Sequence, residues 1–181
     1  MLELRKIGVE SFDAVFDIMQ KSFPDDEYRD YEGQRELFSN PEYSIYVVDG
    51  EGGDDIKAFI TVWDFGGFAY VEHFAVNPKY RNGGIGAQVL ESLHELIGRQ
   101  ICLEVELPKN ELARRRIGFY TRNGFTLNEY DYIQPPLAQG KNPVPLFIMT
   151  SREAIDEERF RLFRSVLYEK VYGCGSMEYI Q

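Results

Sequence analysis

The spacing of apolar side chains divides the chain into short strands and helices that follow one another along its length. Leu2 and Leu4 alternate with charged residues, which is typical of a strand, whereas the apolar residues of 9–23 recur at helical spacing. Turn-forming residues separate such runs. The pattern predicts strands at 2–6, 43–48, 56–65, 68–76, 101–107, 125–133 and 146–150, and helices at 9–23, 30–38, 88–98, 111–122 and 155–172.

The order of these elements indicates a mixed fold. Turns at 49–54 and 66–67 join successive strands as antiparallel hairpins, and a βαβ unit surrounds residues 77–87. We therefore expect an α/β (α+β mixed) fold with a mostly antiparallel sheet of about seven strands, flanked by helices on both faces. A chain of 181 residues is long enough to bury a core, so we expect one domain over 1–181 with a flexible tail at 173–181.

Composition narrows the classes of function. Apolar residues make up 44% and charged residues 28% of the chain, as in a soluble globular protein. The net charge of −10 argues against nucleic-acid and membrane partners, and it permits a cationic substrate. The N-terminal residues contain no secretory signal, and Cys102 and Cys174 have no metal-ligand spacing. We expect a cytoplasmic protein without a bound metal.

The most informative segment joins the fourth strand to the third helix. Residues 76–86 read Val-Asn-Pro-Lys-Tyr-Arg-Asn-Gly-Gly-Ile-Gly, with three glycines, one arginine and no acid. Glycines let backbone N–H groups approach a ligand, and a helix N-terminus attracts phosphate. A Walker loop is excluded because Ala87 follows Gly86, and a Rossmann fingerprint fits only weakly because Val89 takes its third glycine position.

Two segments carry a resemblance to a known family. Arg81, Gly84 and Gly86 form the pattern R-x-x-G-x-G within residues 70–96, and Tyr120 precedes Gly124-Phe125 by four residues within 115–125. Both segments resemble those of the GCN5-related N-acetyltransferases, the GNAT superfamily, and the order of elements over 2–150 is also similar. Asn110 lies farther from Tyr120 than the family's usual asparagine, so we carry no coenzyme contact over to it.

The resemblance implies an acetyl-CoA-dependent N-acetyltransferase, in which a primary amine of a small molecule or peptide attacks the thioester directly. It implies that the end of the fourth strand receives the pantetheine arm and supplies an amide to the oxyanion. The turn that follows would hold the diphosphate. The predicted coenzyme-binding residues are Phe74, Ala75, Val76, Arg81, Asn82, Gly83, Gly84, Ile85, Gly86 and Ala87.

Proton transfer requires an acid and a base. Tyr120 is the predicted acid for the departing thiolate, since an ordinary tyrosine pKa near 10 is close to that of a thiol. Glu72 is the predicted base because it lies on the central strand. Glu104 is a substitute base or a site for the positive charge of the substrate, and Tyr28 and Tyr31 are predicted to line the acceptor site. Ordinary packing is the alternative for the tyrosines, and exposure to solvent is the alternative for Glu72.

Two other interpretations remain open. A non-catalytic acyl-CoA-binding or interaction module would keep the glycine turn without a competent base, and a nucleotide-binding domain unrelated to acyl transfer would use it for another phosphate. The apolar stripe of the last helix, at 160–171, either packs on its own sheet or forms a homodimer contact.

Overall fold

The computed structural model describes residues 2–52 and 55–175. Within these residues the fold is mixed α/β, with seven strands, mostly antiparallel, and five α-helices. The strands are β1 (Arg5–Lys6), β2 (Tyr43–Asp49), β3 (Ile56–Asp64), β4 (Ala69–Val76), β5 (Ile101–Glu106), β6 (Phe125–Gln134) and β7 (Val144–Ser151). The helices are α1 (Phe12–Ser22), α2 (Tyr31–Glu36), α3 (Ile85–Ile97), α4 (Glu111–Arg122) and α5 (Glu157–Val166).

By its internal contacts the chain divides into two compact units, Met1–Cys102 and Leu103–Gln181. The first unit contains an antiparallel meander in which β1 pairs with β2, β2 with β3 and β3 with β4. The register shifts between Ile60 and Val62 of β3. At that point the Thr61 hydroxyl accepts a hydrogen bond from the backbone N–H of His73, at 2.9 Å.

Large side chains fill the interior of the first unit. Trp63 of β3 lies opposite Tyr70 of β4, and both are almost fully buried. Helices α1 and α3 pack against β3 and β4, and Phe12 and Leu93 bring their apolar faces to the sheet. This packing covers both β3 and β4, so a polar side chain on either strand needs a partner.

The second unit is built around the antiparallel pair β6–β7, on which α4 and α5 pack. Helix α5 continues into a π-helical turn, Leu167–Val171. The apolar stripe of the C-terminal helix is buried in the chain, with Phe160, Phe163 and Leu167 at most 3% exposed. The stripe is therefore already covered, and a homodimer stays a prediction without structural support from this face.

The predicted fold class and the order of elements are confirmed. Strand β1 is shorter than predicted because only Arg5 and Lys6 pair with β2. The predicted first helix opens with a 3₁₀ turn, and α5 begins at Glu157 because Asp156 accepts a hydrogen bond from the Arg159 backbone N–H as N-cap. The single domain stays a prediction, and residues 176–181 of the tail predicted at 173–181 lie outside the described residues.

Over residues 2–52 and 55–175, the structure contains no helix that is long and apolar enough to cross a bilayer.

Candidate active site

The glycine turn forms the entrance to α3. Gly84 is the N-cap of the helix with φ 73° and ψ 3°, and Asn82 is also left-handed with φ 70°. The first intrahelical hydrogen bond runs from the Gln88 N–H to the Gly84 carbonyl. Helix α3 thus begins at Ile85, before the predicted start at Gln88, and the N–H groups of its first turn have no acceptor within the helix.

The exposure and the composition of this turn fit a diphosphate. Residues 81–84 are exposed, and Gly86 is partly exposed. A Cβ added to Gly83 would meet the Tyr80 carbonyl only at 3.7 Å, and one at Gly84 would meet the Gln88 side chain at 3.9 Å. Glycine is therefore not required there by crowding within the chain, and an open approach to the backbone is left for a ligand. The first turn of α3 carries no acid that would repel an anion.

The strand end before this turn has a defined contact. The Arg81 Nε–H donates to the Val76 carbonyl at 3.1 Å, which turns the side chain back along the chain. Ala75 is 8% exposed, and Phe74 and Val76 are partly exposed. The predicted contacts of these residues with a coenzyme stay predictions, and Arg81 would have to exchange the Val76 carbonyl for a phosphate to bind one directly.

Glu72 is held in a buried ion pair. Its Oε1 accepts from Arg29 Nη1 at 2.6 Å and its Oε2 accepts from Trp63 Nε1 at 2.8 Å. The side chains of Arg29 and Glu72 are 9% and 3% exposed. Burial by itself raises the pKa of Glu72, but the Arg29 guanidinium and the other hydrogen bonds outweigh burial, so the net pKa is below its usual value. The carboxylate therefore stays ionised at neutral pH.

These contacts bear on the predicted role of Glu72 as the base. A carboxylate whose two oxygens already accept hydrogen bonds, and whose pKa is lowered, is a weak proton acceptor. The role of Glu72 as base stays a prediction. What the contacts support directly is positioning, because they join β4 to the segment between α1 and α2.

His73 has a structural environment. Its Nε2–H donates to the Glu27 carbonyl at 2.6 Å, and its ring packs edge-on against Phe23. Burial lowers the pKa of His73 despite the nearby carboxylate of Glu72, so the imidazole is neutral near pH 7. Among the described residues its Nδ1 has no hydrogen-bond partner.

The two tyrosines predicted to line the acceptor site both contact Phe16. Tyr28 packs edge-on against it and is 8% exposed, and burial raises the Tyr28 pKa. Tyr31 also packs edge-on against Phe16, is 37% exposed, and donates its hydroxyl to Asp13 at 2.5 Å. Tyr31 is thus the more accessible of the two, and substrate contact stays a prediction for both.

Tyr120 lies near the end of α4 and is 8% exposed. Its ring packs edge-on against Phe119 and Phe125. Burial raises the pKa of Tyr120 to about 12, although Arg116 opposes the shift. The hydroxyl is therefore protonated at neutral pH and able to donate, but complete transfer to a thiolate of pKa about 8.5 is uphill by about 5 kcal/mol. The pKa near 10 that the sequence analysis expected for Tyr120 is therefore too low.

Glu104 is the centre of a tyrosine cluster in the second unit. Its Oε1 accepts hydrogen bonds from the hydroxyls of Tyr132 and Tyr172, and the Tyr172 hydroxyl also lies 2.9 Å from its Oε2. Glu104 and Tyr172 are partly exposed, whereas Tyr132 is 3% exposed. The oxygens of Glu104 thus accept from neutral hydroxyls, whereas one oxygen of Glu72 accepts from a guanidinium. The π-helical turn that precedes Tyr172 had no signal in the sequence pattern.

Comparison with known proteins identifies the family. A family model for a GNAT acetyltransferase domain matches residues 41–127. A solved Bacteroides thetaiotaomicron protein that is assigned to the GNAT acetyltransferases is 40% identical, with a TM-score of 0.87 over 95% of this chain and 99% of that one. The chain belongs to the GNAT family. The predicted membership and the prediction of an N-acetyltransferase are confirmed.

Other relatives of this GNAT acetyltransferase are more distant. A Bacillus subtilis protein assigned as a ribosomal protein bS18-alanine N-acetyltransferase is 27% identical over 136 residues, which are 67% of this chain and 88% of the relative. The PaiA N-acetyltransferase of Thermoplasma acidophilum, solved in complex with coenzyme A, has a TM-score of 0.59 at 18% identity over 84% of this chain and 99% of that one. The latter shows the fold.

Several residues of this site were not found from the sequence. Arg29 stands in an acidic segment and gave no sign that its charge is buried. Glu72 offered a partial signal, since a carboxylate on a covered strand requires a cation or several donors.

Asn110 has a structural role at the start of α4, where its side chain accepts a hydrogen bond from the Ala113 N–H as N-cap.

We expect Glu72→Gln to lower the free energy of unfolding by roughly 3 kcal/mol, because it leaves the Arg29 guanidinium buried without a carboxylate. The lowered pKa stabilises the unsubstituted protein above the ordinary value of 4.5 and loses its effect as the pH falls through the folded-state pKa. Urea unfolding between pH 7 and pH 3 measures both effects. The exposed Glu36→Gln is the control, and equal stability of the two variants at pH 7 would contradict the ion-pair interpretation.

Proposed function

We propose that this GNAT protein transfers the acetyl group of acetyl-CoA to a primary amine of a small molecule or peptide. The observation that carries the proposal is the exposed stretch 81–84, in which the left-handed Asn82 and Gly84 lead into α3. The first turn of α3 carries no acid, and its N–H groups have no acceptor within the helix. Such a turn favours a diphosphate through its backbone alone.

Acetyl-CoA supplies the acetyl group as an activated thioester. A bond from the amine nitrogen to the acetyl carbon forms and the carbon–sulfur bond breaks, while the amine loses a proton and the sulfur gains one. The residues assigned to the coenzyme are those predicted from the sequence, from Phe74 to Val76 and from Arg81 to Ala87. Tyr120 is assigned as the donor to the departing sulfur, a role that its protonated state at neutral pH supports.

Two carboxylates, Glu72 and Glu104, are candidates for the base. Glu72 was predicted, but its oxygens accept from Arg29 and Trp63. Glu104 is oriented by the neutral hydroxyls of Tyr132 and Tyr172, whereas Glu72 is paired with a guanidinium. The contacts of the two side chains favour Glu104 as the proton acceptor or as the group that binds the ammonium, and Glu72 as a positioning residue.

The net charge of the chain and the activities assigned to its relatives suggest the class of the acceptor amine. The chain carries a net charge of −10, which suits a cationic acceptor. One relative is assigned as an N-acetyltransferase that acts on the alanine of a ribosomal protein. Spermidine N-acetyltransferases of Vibrio cholerae have the same fold. We therefore propose an aliphatic primary amine, either an N-terminal α-amine or a polyamine.

The direct test is acetyl-CoA turnover with a panel of amines. Release of free thiol is measured with saturating acetyl-CoA and an alanine-terminated peptide, spermidine or lysine. Saturable thiol release that depends on one amine, with mass spectrometry of the N-acetyl product, supports the proposal. A failure of acetyl-CoA to bind at millimolar concentration rejects it.

A second candidate is a non-catalytic acyl-CoA-binding module. The lowered pKa of Glu72, which accepts from Arg29 and Trp63, favours it, because such a carboxylate is a weak proton acceptor. Tight coenzyme binding without thiol release for any amine of the panel would select this candidate.

We expect Gly83→Leu to weaken CoA binding at least tenfold. The added side chain meets only ordinary contacts within the chain, since the nearest atom to a new Cβ is the Tyr80 carbonyl at 3.7 Å. It therefore leaves the fold intact and occupies space in front of the backbone N–H groups. Isothermal titration with CoA measures the dissociation constant, and thermal unfolding checks the fold.

Gly67→Leu is the matched control, because Gly67 is an exposed turn glycine with no atom within 4 Å of an added Cβ. This variant is expected to bind CoA as the unsubstituted protein does. Unchanged affinity in both variants would show that the turn does not hold the coenzyme.

We expect Tyr120→Phe to lower kcat by about tenfold or more and to change the dissociation constant of CoA by less than twofold. The substitution removes the hydroxyl and keeps the ring that packs on Phe119 and Phe125. Steady-state kinetics and CoA titration measure the two quantities. A parallel loss of affinity and turnover, or no change in either, rejects the donor role.

We expect Glu104→Gln to remove the acid limb of the pH–rate profile of kcat/KM, since the limb reports protonation of the base. Glu72→Gln is expected to keep that limb, measured at a temperature where both variants are folded. The reverse result, with the limb lost only in Glu72→Gln, would assign the base to Glu72 as the sequence predicted.

A further inference from the structure

The segment before the glycine turn is fastened to the first residues of β3. The backbone N–H of Asn77 donates to the Lys57 carbonyl at 2.8 Å, and its side-chain amide donates to the Ile56 carbonyl at 3.0 Å. The Tyr80 hydroxyl donates to the Asp55 carboxylate. The Lys57 ammonium lies 5.6 Å from the centroid of the Tyr80 ring.

Among these contacts, the one between Tyr80 and Asp55 joins two side chains near the surface. Both residues are partly exposed, and the hydrogen bond that Tyr80 donates to Asp55 raises the pKa of Tyr80, so the phenol stays protonated. The turn residue next in sequence is Arg81, and Asn82 and Gly84 follow in left-handed conformations. The Tyr80 hydroxyl thus holds in place the residue that directly precedes the exposed turn.

We propose that the Tyr80–Asp55 hydrogen bond is a latch that positions the turn 81–87 for the coenzyme, with Tyr80 and Asp55 as positioning residues for CoA affinity. The inference rests on the proposed function of that turn. It adds that the end of the β2–β3 hairpin, through Asp55, sets how tightly the diphosphate is bound.

The physical reason is preorganisation. A glycine-rich turn has many accessible conformations, and a ligand that must order it loses affinity to that entropy. A side-chain hydrogen bond at the start of the turn reduces the number of conformations before the coenzyme arrives. One such bond supports a change of about three- to tenfold in affinity.

A purely structural role for the same bond makes a different prediction. It would lower thermal stability and leave the affinity of the folded protein unchanged. A direct contact of Tyr80 with the coenzyme would also differ, because Asp55 would then not matter. The dissociation constant and the stability must therefore be measured on the same variants.

The experiment is isothermal titration of CoA into four proteins: the unsubstituted chain, Tyr80→Phe, Asp55→Ala and the double variant. Tyr80→Phe keeps the ring under Lys57 and removes only the hydroxyl. Each single variant is expected to weaken CoA binding about three- to tenfold, and the double variant to be no weaker than either, because both remove the same bond. At saturating acetyl-CoA, kcat is expected to stay unchanged while KM for acetyl-CoA rises.

Asp55→Asn separates the hydrogen bond from the charge. Its side-chain oxygen still accepts from Tyr80, and the lost negative charge no longer opposes the anionic coenzyme. Affinity equal to or tighter than that of the unsubstituted chain is expected, which rescues the loss in Asp55→Ala. Tyr130→Phe is the matched control, since it removes a tyrosine hydrogen bond to the Ile155 carbonyl in the second unit.

Unchanged affinity in Tyr80→Phe overturns the latch, and so does a loss in Tyr80→Phe that Asp55→Ala does not share. An unsubstituted chain that does not bind CoA rejects both the latch and the proposed function. An unsubstituted chain that binds CoA, with variants that bind equally well, rejects the latch alone.

Discussion

The backbone N–H groups at the start of α3 impose the constraint on which the account of function depends. A helix begins with N–H groups that its own carbonyls do not reach, and here they follow an exposed turn instead of a side-chain cap. Gly84 takes the N-cap position in a left-handed conformation and contributes no side-chain oxygen, in contrast to Asn110 at the start of α4. The donors of α3 are thus left for an external acceptor, and a diphosphate is the acceptor that such donors suit best.

A second constraint acts on β4, the strand that leads to this turn. A carboxylate on so covered a strand is stable only with a cation, and Arg29 supplies it from the segment between α1 and α2. The ion pair with Arg29 keeps Glu72 ionised, but its hydrogen bond also occupies one of the carboxylate oxygens. Charge burial and base catalysis therefore compete at this residue, and the contacts favour the first. Glu104 accepts hydrogen bonds from tyrosine hydroxyls in the second unit.

Much of the fold was predictable because it follows local rules. The turns at 49–54 and 66–67 were predicted from their glycines, and helix α4 was predicted at its observed bounds, 111–122. The start of α3 was misplaced because Gly86 was read as part of the turn, whereas a left-handed Gly84 lets the helix begin before it. The π-helical turn after α5 depends on tertiary packing and left no periodic signal.

The candidate site was predictable in its backbone and less so in its side chains. The turn 81–87 was predicted because its glycines, its lack of acids and its position before a helix are local features of the sequence. The partners of Glu72, and the bond between Tyr80 and Asp55, join residues that are distant in sequence. No single-sequence pattern encodes such pairs, and they decide which ionisable groups are available for proton transfer.

The most direct measurement of the central claim is a CoA titration followed by amide chemical shifts in ¹⁵N-labelled protein. The account predicts that the largest and saturable shifts fall on the backbone N–H groups of Gly83 to Ala87, with downfield changes typical of new hydrogen bonds to phosphate. Saturable binding that leaves these amides unshifted, or no binding at all, would contradict it.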